Sequence, residues 1–341
     1  YQGGPNSRVA VDNFPYSGKV LTHSANAIVT DSASSGTAFS TGKKTNNRAL
    51  GVDVNEQPIE NITETLDRSG YVSSVISTSE VTHATPAAFV VHTSSRYLTD
   101  EISIQMTDSK IKNILGGGRK FFIPEEDGGN REDGIKLIEK IKSKSRLITD
   151  KSELSNPARY GDSQVFGLFA DEHLRDENTP ENHSKEPSIE KMLEFSVNRS
   201  KEFLKNGCRG FFIMAEASQV DWAGHGNDFE YLMREMSDLE DGIKWALKFA
   251  KKNQDTLVVV TADHETGGLL IEPNDPRKYE NPEVKFSFNT GIGRGSHTGV
   301  PVPIYAYGPG AENFTGTLDN TDVYKALLAA ANQDKSGSCV N

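Results

Sequence analysis

Residues 210–264 read GFFIMAEASQVDWAGHGNDFEYLMREMSDLEDGIKWALKFAKKNQDTLVVVTADH, and their pattern indicates the fold class. It begins and ends with short apolar runs, at 210–214 and 256–261, which are typical of buried strands. Between these runs, residues 229–253 repeat apolar side chains every three to four positions, which is the period of a helix with one buried face. This order of strand, helix and strand is typical of α/β proteins with a mostly parallel sheet and helices on both faces.

The remainder of the chain continues the alternation. Further strands are predicted at 27–30, 72–77 and 302–307, and further helices at 133–144, 188–206 and 322–331. Two polar segments, 125–132 and 176–187, are predicted to be surface loops. The predicted fold class is therefore α/β, with a mostly parallel central sheet and helices on both faces. Because no internal repeat or low-complexity linker divides the chain, we interpret its 341 residues as a single domain.

The composition excludes several classes of protein. A net charge of −11 argues against a nucleic-acid-binding surface, which needs an excess of Lys and Arg. No run of eighteen apolar residues is present, so no segment has the composition of a transmembrane helix.

The two cysteines, Cys208 and Cys339, fit no CxxC or metal-binding spacing. They are either separate thiols or, in an oxidising compartment, a bridge that tethers the C-terminal tail.

Polar residues of the types that bind metals or take part in catalysis follow four of the predicted strands. These polar residues lie at 31–32, 80–85, 216–225 and 263–264. In open α/β sheets, ligands bind beyond the carboxyl ends of the strands. We therefore expect the four groups to meet at one site. Metal ions there would supply the positive charge that an anionic substrate needs in an acidic protein.

Asp221 and His225 are four residues apart, so both side chains can reach one ion. Alone, this pair is more often a surface hydrogen bond, and a loop histidine such as His297 usually has no special role. Together, the three residues make a zinc site with one open position. Asp263 and His264 begin a second site, although Asp263 could instead cap a helix beside a packed histidine. Two zinc ions about 4 Å apart would hold both oxygens of an in-line phosphoryl transfer.

Two further oxygen ligands, Thr85 and Glu216, suit Mg²⁺ better than zinc. Thr85 could also be no more than a turn residue before a proline. The candidate nucleophile is Ser32, which opens a predicted helix where free N–H groups attract a phosphoryl oxygen. It could equally belong to an ordinary helix cap. With no histidine base nearby in the sequence, a zinc ion would have to activate its hydroxyl. Arg96 could clamp two phosphate oxygens, or could be a plain surface arginine.

In its motifs and their order, the chain resembles the alkaline phosphatases. The matching motifs are Val29-Thr-Asp-Ser32, Ser40-Thr-Gly-Lys43 with Lys44-Thr45, Gly51-Val-Asp53, His83-Ala-Thr-Pro-Ala87, Glu216-Ala-Ser with Asp221 and His225, Thr261-Ala-Asp-His264 and Ser296-His-Thr-Gly299. Each motif is short, but they occur in the family's order from about residue 15 to residue 331.

The resemblance implies a phosphomonoesterase with two zinc ions and one magnesium ion. Ser32 would form the phosphoserine intermediate, and Arg96 would hold the phosphate oxygens. The implied ligands are Asp221, His225 and His297 for the first zinc, Asp263 and His264 for the second, and Thr85 and Glu216 for magnesium. Such enzymes act on small phosphate monoesters, are inhibited by inorganic phosphate, are exported to the periplasm, cell surface or medium, and are commonly homodimers.

The chain departs from the family pattern at three places. His83 and Trp222 stand where some members carry Asp and Lys, so we expect them to act behind the ligands, near magnesium and phosphate. The family's Asp-Gly-x-Gly motif, whose Asp bridges zinc and magnesium, has no counterpart before Asp31, since Asp12 aligns after it. We therefore expect an N-terminally incomplete catalytic domain, with Asp31 as an unlikely substitute bridge. The 33 positions from His264 to His297 leave room only for a small crown insertion.

Two other functions are alternatives to a phosphomonoesterase. A sister hydrolase on the same scaffold is disfavoured, because a sulfatase needs a C/S-x-P-x-R motif, and diesterases more often use Thr without a clamping Arg. A metal- or phosphate-binding protein with impaired catalysis is the non-enzymatic alternative, motivated by the absent upstream Asp. A phosphatase assay distinguishes the two, because a binding protein would take up phosphate without turnover.

Overall fold

The computed structural model describes residues 7–174, 185–275, 284–291, 295–331 and 339. Within these ranges, the helices are α1 (Ser32–Thr41), α2 (Ile62–Arg68), α3 (Ala84–Ala88), α4 (Thr99–Asp108), α5 (Leu137–Lys144), α6 (Ile189–Lys205), α7 (Gln219–Gly226), α8 (Phe229–Lys252) and α9 (Asn320–Ala330). The strands are β1 (Tyr16–Leu21), β2 (Tyr71–Glu80), β3 (Asn113–Gly117), β4 (Arg146–Ile148), β5 (Val165–Leu168), β6 (Gly210–Glu216), β7 (Val258–Thr261), β8 (Glu265–Thr266), β9 (Leu269–Pro273), β10 (Val284–Phe288), β11 (His297–Thr298), β12 (Val302–Tyr307) and β13 (Gly316–Asp319).

A five-stranded parallel sheet forms the centre of the molecule, in the order β4-β5-β3-β2-β6. In β2, every residue except the two terminal ones is buried, which explains its almost continuous apolar and small-residue sequence. Helices α2 and α6 both pack against β2. The predicted α/β fold with a mostly parallel sheet is confirmed.

A second sheet of four strands, in the order β13-β1-β12-β7, was not distinguished from the first by the sequence. Its strands are mixed, since β1 runs parallel to β13 and antiparallel to β12. Between β7 and β12, the described chain forms only the short β8–β11 pair and the β9–β10 hairpin. This agrees with the expected small insertion.

The prediction of a strand at residues 27–30 is wrong. Ile28 is 81% exposed, and the backbone here is bound by side chains rather than by a neighbouring strand. Asn47 donates from Nδ2 to the Val29 carbonyl and accepts the N–H of Asp31 through Oδ1. A polar partner 16 to 18 residues away therefore takes the hydrogen bonds that a strand would need.

Most other predicted elements lie where they were expected. The predicted helices at 188–206 and 229–253 are α6 and α8, and the predicted strand at 302–307 is β12. The helix predicted at 133–144 begins only at Leu137, because Gly134 takes a left-handed φ of 71°. The loop predicted at 176–187 lies mostly outside the described residues. No helix in the described part of the chain is long and apolar enough to cross a membrane.

Cys208 and Cys339 form a disulfide across a sequence separation of 131 residues. Cys208 is buried with Val72 and Phe203, behind the parallel sheet. Of the two alternatives from the sequence, separate thiols or a bridge, the structure selects the bridge that tethers the C-terminal tail.

Candidate active site

Asp221, His225 and His297 meet at the carboxyl end of the sheets. Helix α7 places Asp221 and His225 one turn apart, with Asp221 Oδ2 3.4 Å from His225 Nε2. The β11–β8 pair brings in His297, whose Nε2 lies 3.5 Å from Asp221 Oδ1 and 3.2 Å from His225 Nε2. The carboxylate and the two imidazoles thus lie within about 3.5 Å of one another.

The hydrogen bonds behind these imidazoles decide which nitrogen is free. His225 Nδ1 lies 2.8 Å from the Gly295 carbonyl, and His297 Nδ1 lies 2.8 Å from the Thr30 carbonyl. A carbonyl only accepts, so each Nδ1 carries the hydrogen and each Nε2 presents a lone pair in the neutral ring. Two lone pairs 3.2 Å apart beside a carboxylate repel one another unless a cation or proton lies between them. Zinc-binding histidines are held in this way.

Asp263 and His264 form the adjoining group, on the bend that follows β7. Thr266 Oγ1 donates to Asp221 and therefore accepts from His264 Nδ1, which lies 3.2 Å away. His264 Nε2 then faces Asp263 Oδ2 at 3.1 Å. Burial alone would lower the pKa of His264, but the Asp263 carboxylate raises it. Burial likewise would raise the pKa of Asp263, but the charge of His264 lowers it. The attraction that favours a proton at this point favours a metal cation as well.

The two predicted zinc sets form one continuous cluster. Ligand atoms of Asp221, His264 and His297 all lie within 4.8 Å of one another. This group combines two residues assigned to the first zinc with one assigned to the second. The rings of His264 and His297 stack with centroids 3.5 Å apart. Burial would raise the pKa of Asp221, but hydrogen bonds with His225 and His297 bring it far below its usual value, so this residue is anionic. Imidazole and carboxylate donors in this arrangement fit zinc.

Thr85 and Glu216 lie on neighbouring elements, α3 and the end of β6. Glu216 Oε2 accepts from Ser77 Oγ at 2.9 Å and also from Ser218 Oγ. Burial raises the pKa of Glu216. The buried Thr85 hydroxyl lies beside this carboxylate and lowers its pKa in part. A buried carboxylate and a neighbouring hydroxyl are hard oxygen donors that fit Mg²⁺, although two ligands do not complete its shell.

Ser32 is the first residue of α1, and Asp31 caps this helix by accepting the Ser34 N–H. The hydroxyl of Ser32 lies 3.0 Å from His264 Nε2. Asp31 is thus the residue that caps the helix, and the Ser32 hydroxyl faces the metal-ligand cluster. The sequence predicted that residues 31–32 and 263–264 would meet at one site, and the structure brings Ser32 and His264 together across 232 positions.

Arg96 is not a plain surface arginine, since only 15% of its side chain is exposed. One nitrogen donates to Asp31 Oδ2 at 3.2 Å, and another donates to His83 Nε2 at 3.1 Å. Asp31 also accepts the Ser34 and Arg48 N–H groups. Burial would raise the pKa of Asp31, but these bonds and the Arg96 charge lower it. The Asp31 carboxylate is thus held by Arg96 and by two backbone N–H groups.

His83 and Trp222 pack edge to face, with ring centroids 5.9 Å apart. Burial lowers the pKa of His83 to about 3, so its ring is neutral beside Arg96. A third ring, that of His173, contacts both and touches the Glu80 carboxylate. Burial raises the pKa of Glu80 to about 7. Sequence reasoning missed His173, because it lies in a loop after β5 with no motif around it.

The fold and the site together define an α/β enzyme whose serine lies beside a cluster of metal-binding side chains. The family model for alkaline phosphatase matches residues 2–285 and 272–333. The chain therefore belongs to the alkaline phosphatase family.

Similar proteins carry the same family name. Alkaline phosphatase 4 of Bacillus subtilis is 34% identical over 89% of this chain and 77% of its own length. Alkaline phosphatase of Escherichia coli is 29% identical over 94% of this chain and 79% of its own. The solved alkaline phosphatase of the Antarctic bacterium TAB5 matches with a TM-score of 0.84 and 32% identity, covering 97% of this chain and 93% of that one. A mutant of that protein was solved with Mg bound in its M3 site. These matches identify a phosphatase that hydrolyses phosphate monoesters.

Proposed function

We propose that this phosphatase works through a phosphoserine at Ser32, assisted by two zinc ions and one magnesium ion. The observation that carries the proposal is the position of Ser32 Oγ. It lies at the N-terminus of α1 and 3.0 Å from His264 Nε2, on the edge of the ligand cluster. A serine here meets both the free N–H groups of a helix and the cations that the cluster would bind.

Donor chemistry separates the zinc ligands from the magnesium ligands, and the family resemblance divides the zinc ligands into two sets. Asp221, His225 and His297 would hold one zinc, and Asp263 and His264 the other. Thr85 and Glu216 would contribute to magnesium. When bound, these metals would lower the pKa of nearby hydroxyl groups and neutralise charge that develops on the attacking and leaving oxygens.

The protein's own groups then carry out two in-line displacements. Ser32 Oγ gives up its proton to solvent and attacks the phosphorus while the bond to the alcohol oxygen breaks, and the departing alkoxide takes up a proton from water. The N–H groups at the start of α1 and the Arg96 guanidinium hold the non-bridging oxygens. Water then attacks the phosphoserine from the side that the alcohol left, which restores Ser32 and releases inorganic phosphate. Phosphate would therefore inhibit competitively.

Labelling with a ³²P-phosphate monoester tests this proposal. The parent should yield an acid-stable phosphoserine at Ser32, and Ser32→Ala should yield none. A Ser35→Ala variant is the matched control, since Ser35 lies on the same helix but donates to the Asp263 carbonyl. Label at another residue, or unlabelled protein during rapid turnover, would contradict the phosphoserine. Binding of phosphate without any turnover would favour the binding-protein alternative.

We also propose that the single catalytic domain needs one more carboxylate to complete its metal sites. Thr85 and Glu216 are too few ligands for magnesium, and Asp31 is occupied elsewhere. Among the described residues, β6 pairs with β2 alone and β7 with β12 alone, so each has an edge free for a further strand. Metal analysis of the 341-residue chain tests this, and tight binding of all three ions would contradict it.

Export and dimer formation are further proposals. The bridge between Cys208 and Cys339 supports an oxidising compartment, since such bonds are rare in reducing ones. Light scattering of the purified protein should give the mass of a homodimer, twice the 37.3 kDa of the chain. Thiol labelling of protein taken directly from cells should find both cysteines blocked.

A further inference from the structure

The His173 ring packs with His83 and Trp222 beside Arg96, and the proposed chemistry does not use it. Its side chain is 39% exposed, which places it at the rim of the site. Backbone contacts fix the loop that carries it. Leu174 donates its N–H to the Thr78 carbonyl at 3.1 Å, and a Cβ on Gly117 would come within 1.9 Å of the Glu172 carbonyl oxygen. The loop thus lies directly on the ends of β2 and β3.

Glu80, the last residue of β2, orients the His173 ring. Its backbone N–H donates to His173 Nδ1 at 3.2 Å. The ring also packs against Trp222, with centroids 4.2 Å apart. The hydrogen bond and this ring contact together limit its rotation, so it presents a fixed surface to the side chains beside it.

Three rings meet on that surface. The centroid of His173 lies 4.2 Å from that of Trp222 and 6.2 Å from that of His83. His83 in turn accepts a hydrogen bond from Arg96 at 3.1 Å. A continuous path of contacts therefore leads from His173 through His83 to the guanidinium.

We propose that His173 is a positioning residue that fixes Trp222 and His83, and through them holds Arg96 in the orientation that binds phosphate. This proposal rests on the proposed function of Arg96. It concerns affinity for phosphate rather than the chemical step, because His173 contacts neither Ser32 nor any proposed zinc ligand in the described structure.

The test compares His173→Ala with His173→Phe in a Trp245→Phe background, where Trp222 is the one remaining tryptophan of the two in the chain. The Ala variant should raise KM and the inhibition constant for phosphate by about two- to tenfold, the range expected for one lost aromatic contact. Its kcat should change less than twofold. The Phe variant keeps a ring at this place and should restore most of the phosphate affinity.

Fluorescence supplies a readout that does not depend on activity. Emission from Trp222 should shift to longer wavelength in His173→Ala, because water replaces the ring against the indole, and should stay near the parent value in His173→Phe. His23→Ala, at a half-exposed histidine paired with Asp319, is the matched control and should change neither emission nor inhibition.

Two results would overturn the proposal. One is an Ala variant with lowered thermal stability but parental phosphate inhibition and Trp222 emission, which would make His173 merely structural. The other is an equal loss of kcat and kcat/KM in the Ala and Phe variants. If the parent hydrolysed no phosphate monoester, the proposed function would fail, and Trp222 emission with equilibrium dialysis of ³²P-phosphate would still decide the role of His173.

Discussion

Replacing Arg96 by alanine should weaken phosphate binding without removing the nucleophile. In the structure, Arg96 makes hydrogen bonds to Asp31 Oδ2 and His83 Nε2. A guanidinium has five N–H donors, so it keeps donors for phosphate while these two bonds persist. The variant removes those further bonds. Asp31 remains held by the N–H groups of Ser34 and Arg48, so the start of α1 should keep its shape.

The size of the effect follows from the number and kind of bonds lost. A hydrogen bond to a charged group contributes about 1.5–3 kcal/mol. At about 1.4 kcal/mol for each factor of ten, kcat/KM should fall roughly 10- to 150-fold. The inhibition constant for phosphate should rise by a similar factor, because phosphate uses the same bonds. For Arg96→Lys, kcat/KM and the inhibition constant should lie between those of the parent and of Arg96→Ala. Lysine keeps the positive charge but cannot make two parallel hydrogen bonds to phosphate.

Steady-state kinetics on an aryl phosphate, with inorganic phosphate as inhibitor, measures both quantities. Arg68→Ala is the matched control, because this arginine is 62% exposed and pairs with Glu60. Circular dichroism establishes that each variant is folded. The reasoning would be refuted by an Arg96→Ala variant that is folded and retains kcat/KM and phosphate inhibition within twofold of the parent.

Three other predictions concern the disulfide, the pH dependence of stability, and the pair His83 and Trp222 beside Arg96. Serine at both Cys208 and Cys339 should lower the free energy of unfolding by about 2–5 kcal/mol, as expected for a loop of 131 residues, and denaturant titration measures it. The raised pKa of Glu80, about 7, should make stability fall as pH rises from about 4.5 to 7, because the unfolded carboxyl gives up its proton first. Glu80→Gln should abolish this slope in titrations at several pH values, and a slope equal to that of the parent would contradict the assignment. Finally, His83→Asp with Trp222→Lys should tighten phosphate inhibition by adding a carboxylate–ammonium pair beside Arg96, and unchanged or weaker inhibition would count against this role.

The accuracy of the sequence predictions depended on how local the decisive interactions are. Helix α8 was predicted to within one residue, because its apolar period reports directly which face is buried. The strand predicted at residues 27–30 failed, because Asn47 binds that backbone from outside the local window. Local composition carries no information about such a partner.

The ligand residues show the same division. The order of motifs along the chain sufficed to indicate an alkaline phosphatase, a metal cluster and Ser32, since each motif carries its own residue types. It did not indicate that His264 would lie within 3.0 Å of Ser32, or that His264 and His297 would stack in one cluster. Nor did it indicate His173, whose significance lies entirely in its contacts.

By itself, the sequence determined the family and the α/β class, because these follow from residue type, order and period. The tertiary structure decided which ring nitrogen of His225 and of His297 faces a carbonyl, that Asp31 pairs with Arg96, and that the two cysteines pair. These properties depend on distances of about 3 Å between residues far apart in the chain, and only the packing of the two sheets and their helices sets such distances.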